Sequence, residues 1–489
     1  MSKKQKVAVG DAGIYDARTL GVPKMLVLGF QHMFAMFGAT VLVPLLTGLD
    51  VATTLLMAGL GTLLFHVITG MKVPAFLGSS FAFLGGYAAV APMLEDGSAN
   101  KEMLPYACLG VAVAGLVYLV LAVLIKIVGV HKVMRFFPPV VTGPIIIAIG
   151  LGLSGSAVDN CSANWPLAII ALAIVIVFNI WGKGMLKIIP ILLGVLGSYA
   201  VALIVGNGFG VEGWAIDFSA VADAAWIGLP VHKSNTIFAI DWTRHSLIIS
   251  SIIAIVPISL ATMMEHIGDI SAISATTERN FIKDPGLHRT LTGDGLATTF
   301  SAIFGGPANT TYGENTGVLA LSKVYDPRVI RLAALFAIIL SFSPKFAAIV
   351  SSIPTAIIGG ISFVLYGMIS AIGVRNVVES KVDFTKSRNL IIAAVILVSA
   401  LGLGTAATFS IGSVTISLSA LAVASIAGIV LNAILPGKDY DFSEDEPKDT
   451  GVNFSVGANS KRQEKETKEE QDVKAKEAKE KKAEEKTAE

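Results

Sequence analysis

The chain has 489 residues, of which 53% are hydrophobic and 15% charged, with a mean hydropathy of +0.70 and a formal net charge of +1. That balance excludes a water-soluble enzyme and describes a polytopic membrane protein. The near-neutral charge gives no footing for a nucleic-acid partner, and the two cysteines, Cys108 and Cys161, form no motif and read as small apolar fillers.

Residues 1–24 are polar and lack the apolar core and small-residue cleavage site of a secretory signal, so the first span is expected to remain in the mature protein. Measured against the length needed to cross ~30 Å of hydrocarbon, about fourteen apolar segments follow. They run over 25–48, 51–70, 73–94, 106–128, 139–154, 167–180, 188–205, 247–274, 291–304, 308–321, 329–349, 354–372, 390–403 and 411–435. Several are short and interrupted by Gly or Pro. After residue 437 the sequence turns to Lys and Glu and cannot bury a core, so 437–489 is expected to be a charged, solvated cytoplasmic tail.

The loops carry an orientation signal. Lys and Arg collect at Lys72, at Lys126, Lys132 and Arg135, at Lys183 and Lys187, at Arg279, Lys283 and Arg289, at Lys323 and Arg328, and at Arg375, Lys381, Lys386 and Arg388. The opposite loops are short or acidic (Asp50, Asp96, Asp159), and Lys345 is the one blemish. The positive-inside rule then puts both termini in the cytoplasm of a multi-pass inner-membrane protein.

The chain also repeats. Pro74-Ala75 through Ser80-Phe81 lines up with Pro307-Ala308 through Gly313-Glu314, and Gln31-His32 lines up with Glu265-His266 at nearly the same offset. Each copy holds about seven spans, an odd number, so the second copy enters the bilayer from the opposite side. The blander reading, chance recurrence of PA and QH pairs, fits any one match alone but not two at one offset.

Residues 307–323, PANTTYGENTGVLALSK, place the carboxylate of Glu314 inside apolar sequence. Pro307, Thr310, Thr311 and Gly313 disfavour a helix, whereas the residues after Glu314 favour one. An extended piece running into a half-helix is expected. Irregular backbone at membrane depth survives only beside protein or a wet cavity, and an ionisable residue there marks a functional site. Glu265 and Asp269, four apart, share a helix face with His266 beside them. A buried structural network is the alternative for His266 and Asp269. Ionised carboxylates accept hydrogen bonds, and the backbone near Phe81 and Gly313 offers N–H donors. A flat ring with alternating N–H and C=O edges, a nucleobase, matches both. A carboxylate closed off from water can take a proton near neutral pH, so Glu265, supported by Asp269 or His266, is the candidate for proton coupling.

The stretches GFQHMFAMFGATVLVPLLTG at 29–48, VPAFLGSSFAFLGG at 73–86, MMEHIGD at 263–269 and NTTYGENTGVLALSK at 309–323 resemble the nucleobase–ascorbate transporter family. The last is similar to the family signature, with Ser322 where the family has Thr. The resemblance implies an all-α fold of fourteen spans in two inverted repeats, with short antiparallel strands in spans three and ten. It implies a core domain from 25–135 and 246–352 and a gate domain from 136–245 and 353–436, dimerising through the gate. It implies that Glu265 and Glu314 bind the base, that the Phe81 and Gly313 amides assist, that Tyr312 lines the pocket and that Tyr366 closes it. No metal and no cofactor is implied. Asp269 stands where the enteric uracil-transporting branch has histidine, as in the purine branch, so xanthine and uric acid remain alternatives to uracil. Two other classes fare worse. An intramembrane hydrolase would want HExxH, GxSxG or a Cys/His cluster, and the chain has none of these. An anion carrier would want positive charge at the break where Glu314 stands.

Overall fold

The computed structural model describes residues 13–94, 98–403, 406–411 and 414–437. Residues 1–454 form one unit; 455–489 form a second, which lies outside the described residues, as does the expected charged tail beyond Gly437. The fold is mostly helical. In order come α1 (Val22–Thr47), α2 (Val51–Ile68), β1 (Leu77–Ser79), α3 (Leu84–Val90), α4 (Leu104–Val128), α5 (Pro139–Gly152), α6 (Ser154–Ser162), α7 (Trp165–Trp181) and α8 (Pro190–Ala202). After a long connection follow α9 (His245–Ile255), α10 (Ser259–Thr277), α11 (Leu287–Ile303), β2 (Asn309–Thr311), α12 (Gly313–Ser322), α13 (Pro327–Ser341) and α14 (Pro344–Ser351). Then come α15 (Thr355–Glu379), α16 (Ser387–Gly402), β3 (Ala406–Ile411), β4 (Val414–Ser419) and α17 (Ala420–Ile434).

Local chemistry sets the ends. Gly48 closes α1 in the left-handed region, its N–H donating to Pro44 O, and Asp50 caps α2 by accepting from Thr53 N at 2.6 Å. Pro257 breaks the run between α9 and α10 into a tight turn over Val256–Ile258. Pro344 stops α13, Ser343 caps α14 by accepting from Phe346 N, and the two helices meet at 89°.

Among the described residues seven helices are long and apolar enough to cross a membrane, and the bent pair α13–α14 would be an eighth. Helices α7, α16 and α17 are apolar but shorter. The short antiparallel strands expected in spans three and ten are present as β1 and β2. Three other expectations need correction. The fold departs from all-α beyond that pair, because β3 and β4 form a second antiparallel pair. The segment expected over 411–435 is helical only from Ala420; before it, β-branched residues such as Thr408, Ile411, Val414, Thr415 and Ile416 suit the hairpin of β3 and β4. The segment expected over 329–349 is broken in two at the Ser343-Pro344 step.

Helix packing forms two sets. In one, α4 lies on α11, α2 on α11 and α13, and α1 on α13. In the other, α5, α6 and α7 lie on α15, α16 lies on α5 and α17, and α8 lies on α7. The α4–α11 crossing is closed by small residues: a Cβ on Gly115 would sit 2.6 Å from Gly295 O. Helix α1 also touches α8, joining the two sets. At one end, residues 14–18 form a strap. Ile14 N donates to Lys323 O at 2.7 Å, Tyr15 OH to Thr277 O at 2.8 Å and Ala17 N to Asp326 Oδ2 at 2.8 Å, tying the ends of α10 and α12.

Candidate functional site

Two chain breaks build the site. β1 and β2 pair over three rungs, Leu77 with Thr311, Gly78 with Thr310 and Ser79 with Asn309. The ladder is extended by Tyr312 N donating to Phe76 O and Ser80 N to Ala308 O, both at 2.9 Å. Helical turns begin directly after each strand, at Phe81 and at Gly313. The first amides of such turns have no partner within the turn. Nearly all of this backbone is buried, so its polar groups need partners. Hydroxyls supply several: Thr62 Oγ1 accepts from Leu77 N at 2.9 Å, Thr298 Oγ1 donates to Asn309 O at 2.7 Å and Ser301 Oγ to Pro307 O at 2.6 Å. His66 Nε2 lies 2.9 Å from Ala75 O, and Asn309 Nδ2 donates to Met57 O at 3.0 Å.

Between the strands and α5, α10 and α15 lies a chamber of about 50 Å³. Glu265, Asp269 and Glu314 line it, with Phe81, Tyr312 and Gly313 and apolar wall from Ile146 and Ile369. The structure thus brings both glutamates to one chamber. Glu265 and Asp269 reach it from the same face of α10. Both glutamates are half-buried, and among the described residues Glu265 has no side-chain hydrogen bond. Tyr312 is buried, its hydroxyl donating to Ser79 O at 2.9 Å and accepting from Thr40 Oγ1 at 3.3 Å. A Cβ at Gly78 would sit 2.6 Å from the Tyr312 ring, so only glycine leaves that ring its place.

His266 does not reach the chamber. It is fully buried behind it, with Nδ1 3.2 Å from Asp294 Oδ2 and 3.5 Å from Thr311 Oγ1. Thr311 Oγ1 donates to Asp269 Oδ2 at 2.7 Å, while Asp269 Oδ1 has no partner. A polar string therefore runs Asp269–Thr311–His266–Asp294 from the wall inward. Asp294 has no place in the site expected from the sequence, and Thr311 enters it only as a residue that disfavours a helix. Asp294 carries the same signal as Glu265, a carboxylate in apolar sequence between Gly293 and Gly295; nothing in the sequence points to Thr311 as the partner of Asp269. On the other half-helix, Asn315 Nδ2 donates to His32 O at 3.0 Å, with His32 Nδ1 at 3.2 Å.

Tyr366 lies outside the small chamber. It lines a second space of about 560 Å³ that reaches Thr47 and Asp159, and Ala82 and Ile149 border both. The Tyr366 and Phe81 rings meet edge to face, with centroids 6.5 Å apart. Among the described residues no group of three or more His, Cys, Asp or Glu side chains is placed to hold a metal.

A family model, described as a permease family (Xan_ur_permease), matches residues 23–411. The chain is 42% identical to the uracil permease of Bacillus caldolyticus, over 87% of this chain and 94% of that one. It is 40% identical to the uracil permease of Bacillus subtilis, over 83% and 91%, and 40% identical to the putative pyrimidine permease RutG of Escherichia coli, over 85% and 90%. Among solved structures, the transmembrane domain of a cyanobacterial bicarbonate transporter, BicA, aligns with a TM-score of 0.55 at 16% identity, covering 85% of this chain and 99% of that one. SLC26A9 aligns with a TM-score of 0.60 at 12% identity, covering 86% and 66%. At such identities the likeness is one of fold alone.

Proposed function

The chain belongs to the nucleobase–ascorbate transporter family of permeases, and from that premise we propose that it imports a nucleobase, uracil first, with protons across the cytoplasmic membrane by alternating access. The observation that carries this reading is the meeting of Glu265 and Glu314 at one chamber framed by two strand-to-helix breaks. Each carboxylate accepts from a ring N–H, while the amides that open the turns at Phe81 and Gly313 donate to ring carbonyls. Phe81, Tyr312 and the isoleucines give flat apolar walls. Tyr366, edge-on to Phe81, closes the passage to the larger space.

Two acidic groups facing one small chamber repel, and a proton on one removes that repulsion. Glu265 takes it, and the string from Asp269 to Asp294 holds the rear of the site. The placement of Asp269 on the wall keeps xanthine and uric acid as the second reading. Fourteen spans in two inverted repeats are supported by the packing. The α4–α11 contact has its counterpart in α13–α2, α7–α15 in α16–α5, and α7–α8 in α16–α17. The first packing set is the core domain and the second the gate, with both termini cytoplasmic and the gate joining a homodimer.

Labelled uracil uptake in proteoliposomes, with and without an inward proton gradient and competed with xanthine, uric acid and sulfate, tests the reading. Uptake driven by the gradient and blocked by unlabelled uracil alone is expected. Purified Glu265→Gln is expected to lose the pH dependence of uptake; an unchanged pH profile in that variant removes Glu265 from proton coupling.

A further inference from the structure

Lys345 broke the charge pattern of the loops, and its surroundings account for it. Its Nζ lies 4.8 Å from the centroid of the Trp226 ring. Trp226 belongs to the run Trp226-Ile227-Gly228-Leu229-Pro230 in the long connection between α8 and α9. Trp226, Ile227 and Leu229 are 75%, 83% and 77% exposed. Their backbone is nonetheless tied down. Gly228 N donates to Phe342 O at 3.0 Å, Lys345 N to Ala225 O at 3.0 Å, and Thr53 hydrogen-bonds to Pro230 O. Gly228 also packs on Pro344, where a Cβ would sit 2.6 Å from the proline ring. Three large apolar side chains are thus held outward on a backbone fixed to the start of α2 and to the break between α13 and α14.

That break sets their depth. With 89° between the helices, α14 runs along the membrane surface when α13 crosses it. Leu335 and Ile339 on α13 and Phe342 just past its end are also exposed, and the bond from Gly228 N to Phe342 O sets the exposed run beside the end of that span. Tryptophan with a neighbouring lysine is the chemistry of the bilayer interface: the indole settles among headgroups, and the lysine stem covers apolar surface while its ammonium reaches lipid phosphate. In water, the same three side chains would forfeit the gain from burial.

We propose that Trp226, Ile227 and Leu229 form a foot inserted at the headgroup–acyl boundary of the leaflet on the side where α1 ends, with Lys345 at the headgroups, so that the partner of this surface is phospholipid. The inference is independent of which solute the chain carries.

Full-length protein in phospholipid nanodiscs, spin-labelled at Ile227→Cys or Leu229→Cys, tests it by collision with oxygen and with a water-soluble nickel chelate. Cys108 and Cys161 are buried, and the unsubstituted protein gives the background labelling. The expected result is several-fold higher oxygen-to-nickel accessibility at 227 and 229 than at the exposed control Ser234→Cys. Trp226→Ser is expected to raise nickel access at 227. Nickel access at 227 and 229 equal to that at 234 would overturn the proposal, as would labels shielded from both reagents and broadened by a second label from a neighbouring copy.

Discussion

Thr311 stands at the end of β2 with its hydroxyl 2.7 Å from Asp269 Oδ2, which makes it the link between the chamber wall and the buried His266–Asp294 pair. Thr311→Val keeps the shape and removes the donor, leaving a buried carboxylate short of a partner. A stability loss of about 1.5–3 kcal/mol is expected, read as a lower melting temperature of the purified protein. Glu314→Gln removes a charged acceptor from the chamber, and the concentration of base for half-maximal uptake is expected to rise by about 10- to 100-fold. Glu265, Asp269 and Glu314 were legible in the sequence because a carboxylate in lipid-grade sequence is costly wherever it lacks a purpose. Thr311 was not, because threonine is common in spans and its partner lies 42 positions away.

Among the elements, the extended piece at 307–312 was legible from Pro307, Thr310, Thr311 and Gly313, while the pairing of two short strands came from the family resemblance. The short helices and the late start of α17 were not, since an apolar run reads alike as strand or helix when it is short. Gly78→Ala tests the strand pair. The added carbon would meet the Tyr312 ring at 2.6 Å and Thr40 Oγ1 at 2.8 Å. About 1–3 kcal/mol of overpacking is expected, with weakened substrate binding in a thermal-shift titration. The strap has a pH signature of its own. The Arg18 guanidinium donates to Asp16 at 2.8 and 2.9 Å and holds its carboxyl down to about 2, from an ordinary 3.8. A depressed carboxyl contributes above its unfolded value and is lost as pH falls through the folded one. The Asp16 carboxyl is therefore expected to titrate at about 2 rather than 3.8 when followed by NMR, with the ties of Ile14 and Tyr15 unchanged at pH 4.

At the scale of the whole molecule, the two packing sets meet where α1 touches α8. A Cβ on Gly38 would lie 3.2 Å from Ile191 Cβ, close to the spacing a disulfide needs. Oxidised Gly38→Cys/Ile191→Cys protein is expected to stop taking up substrate and to recover on reduction; full uptake while cross-linked would show that the two sets need not move apart. Sequence repeats hinted at this organisation, but which helices pack was not readable, because every face of such a chain is apolar. The matching of contacts between the halves has a last consequence. If the first packing set moves against the second as one body, α4–α11 and α13–α2 both stay intact, and the two extreme shapes are assembled from like surfaces and differ little in energy. An unloaded carrier would then favour neither side of the bilayer, and the direction of net flow would be dictated by the concentrations of cargo and protons it meets.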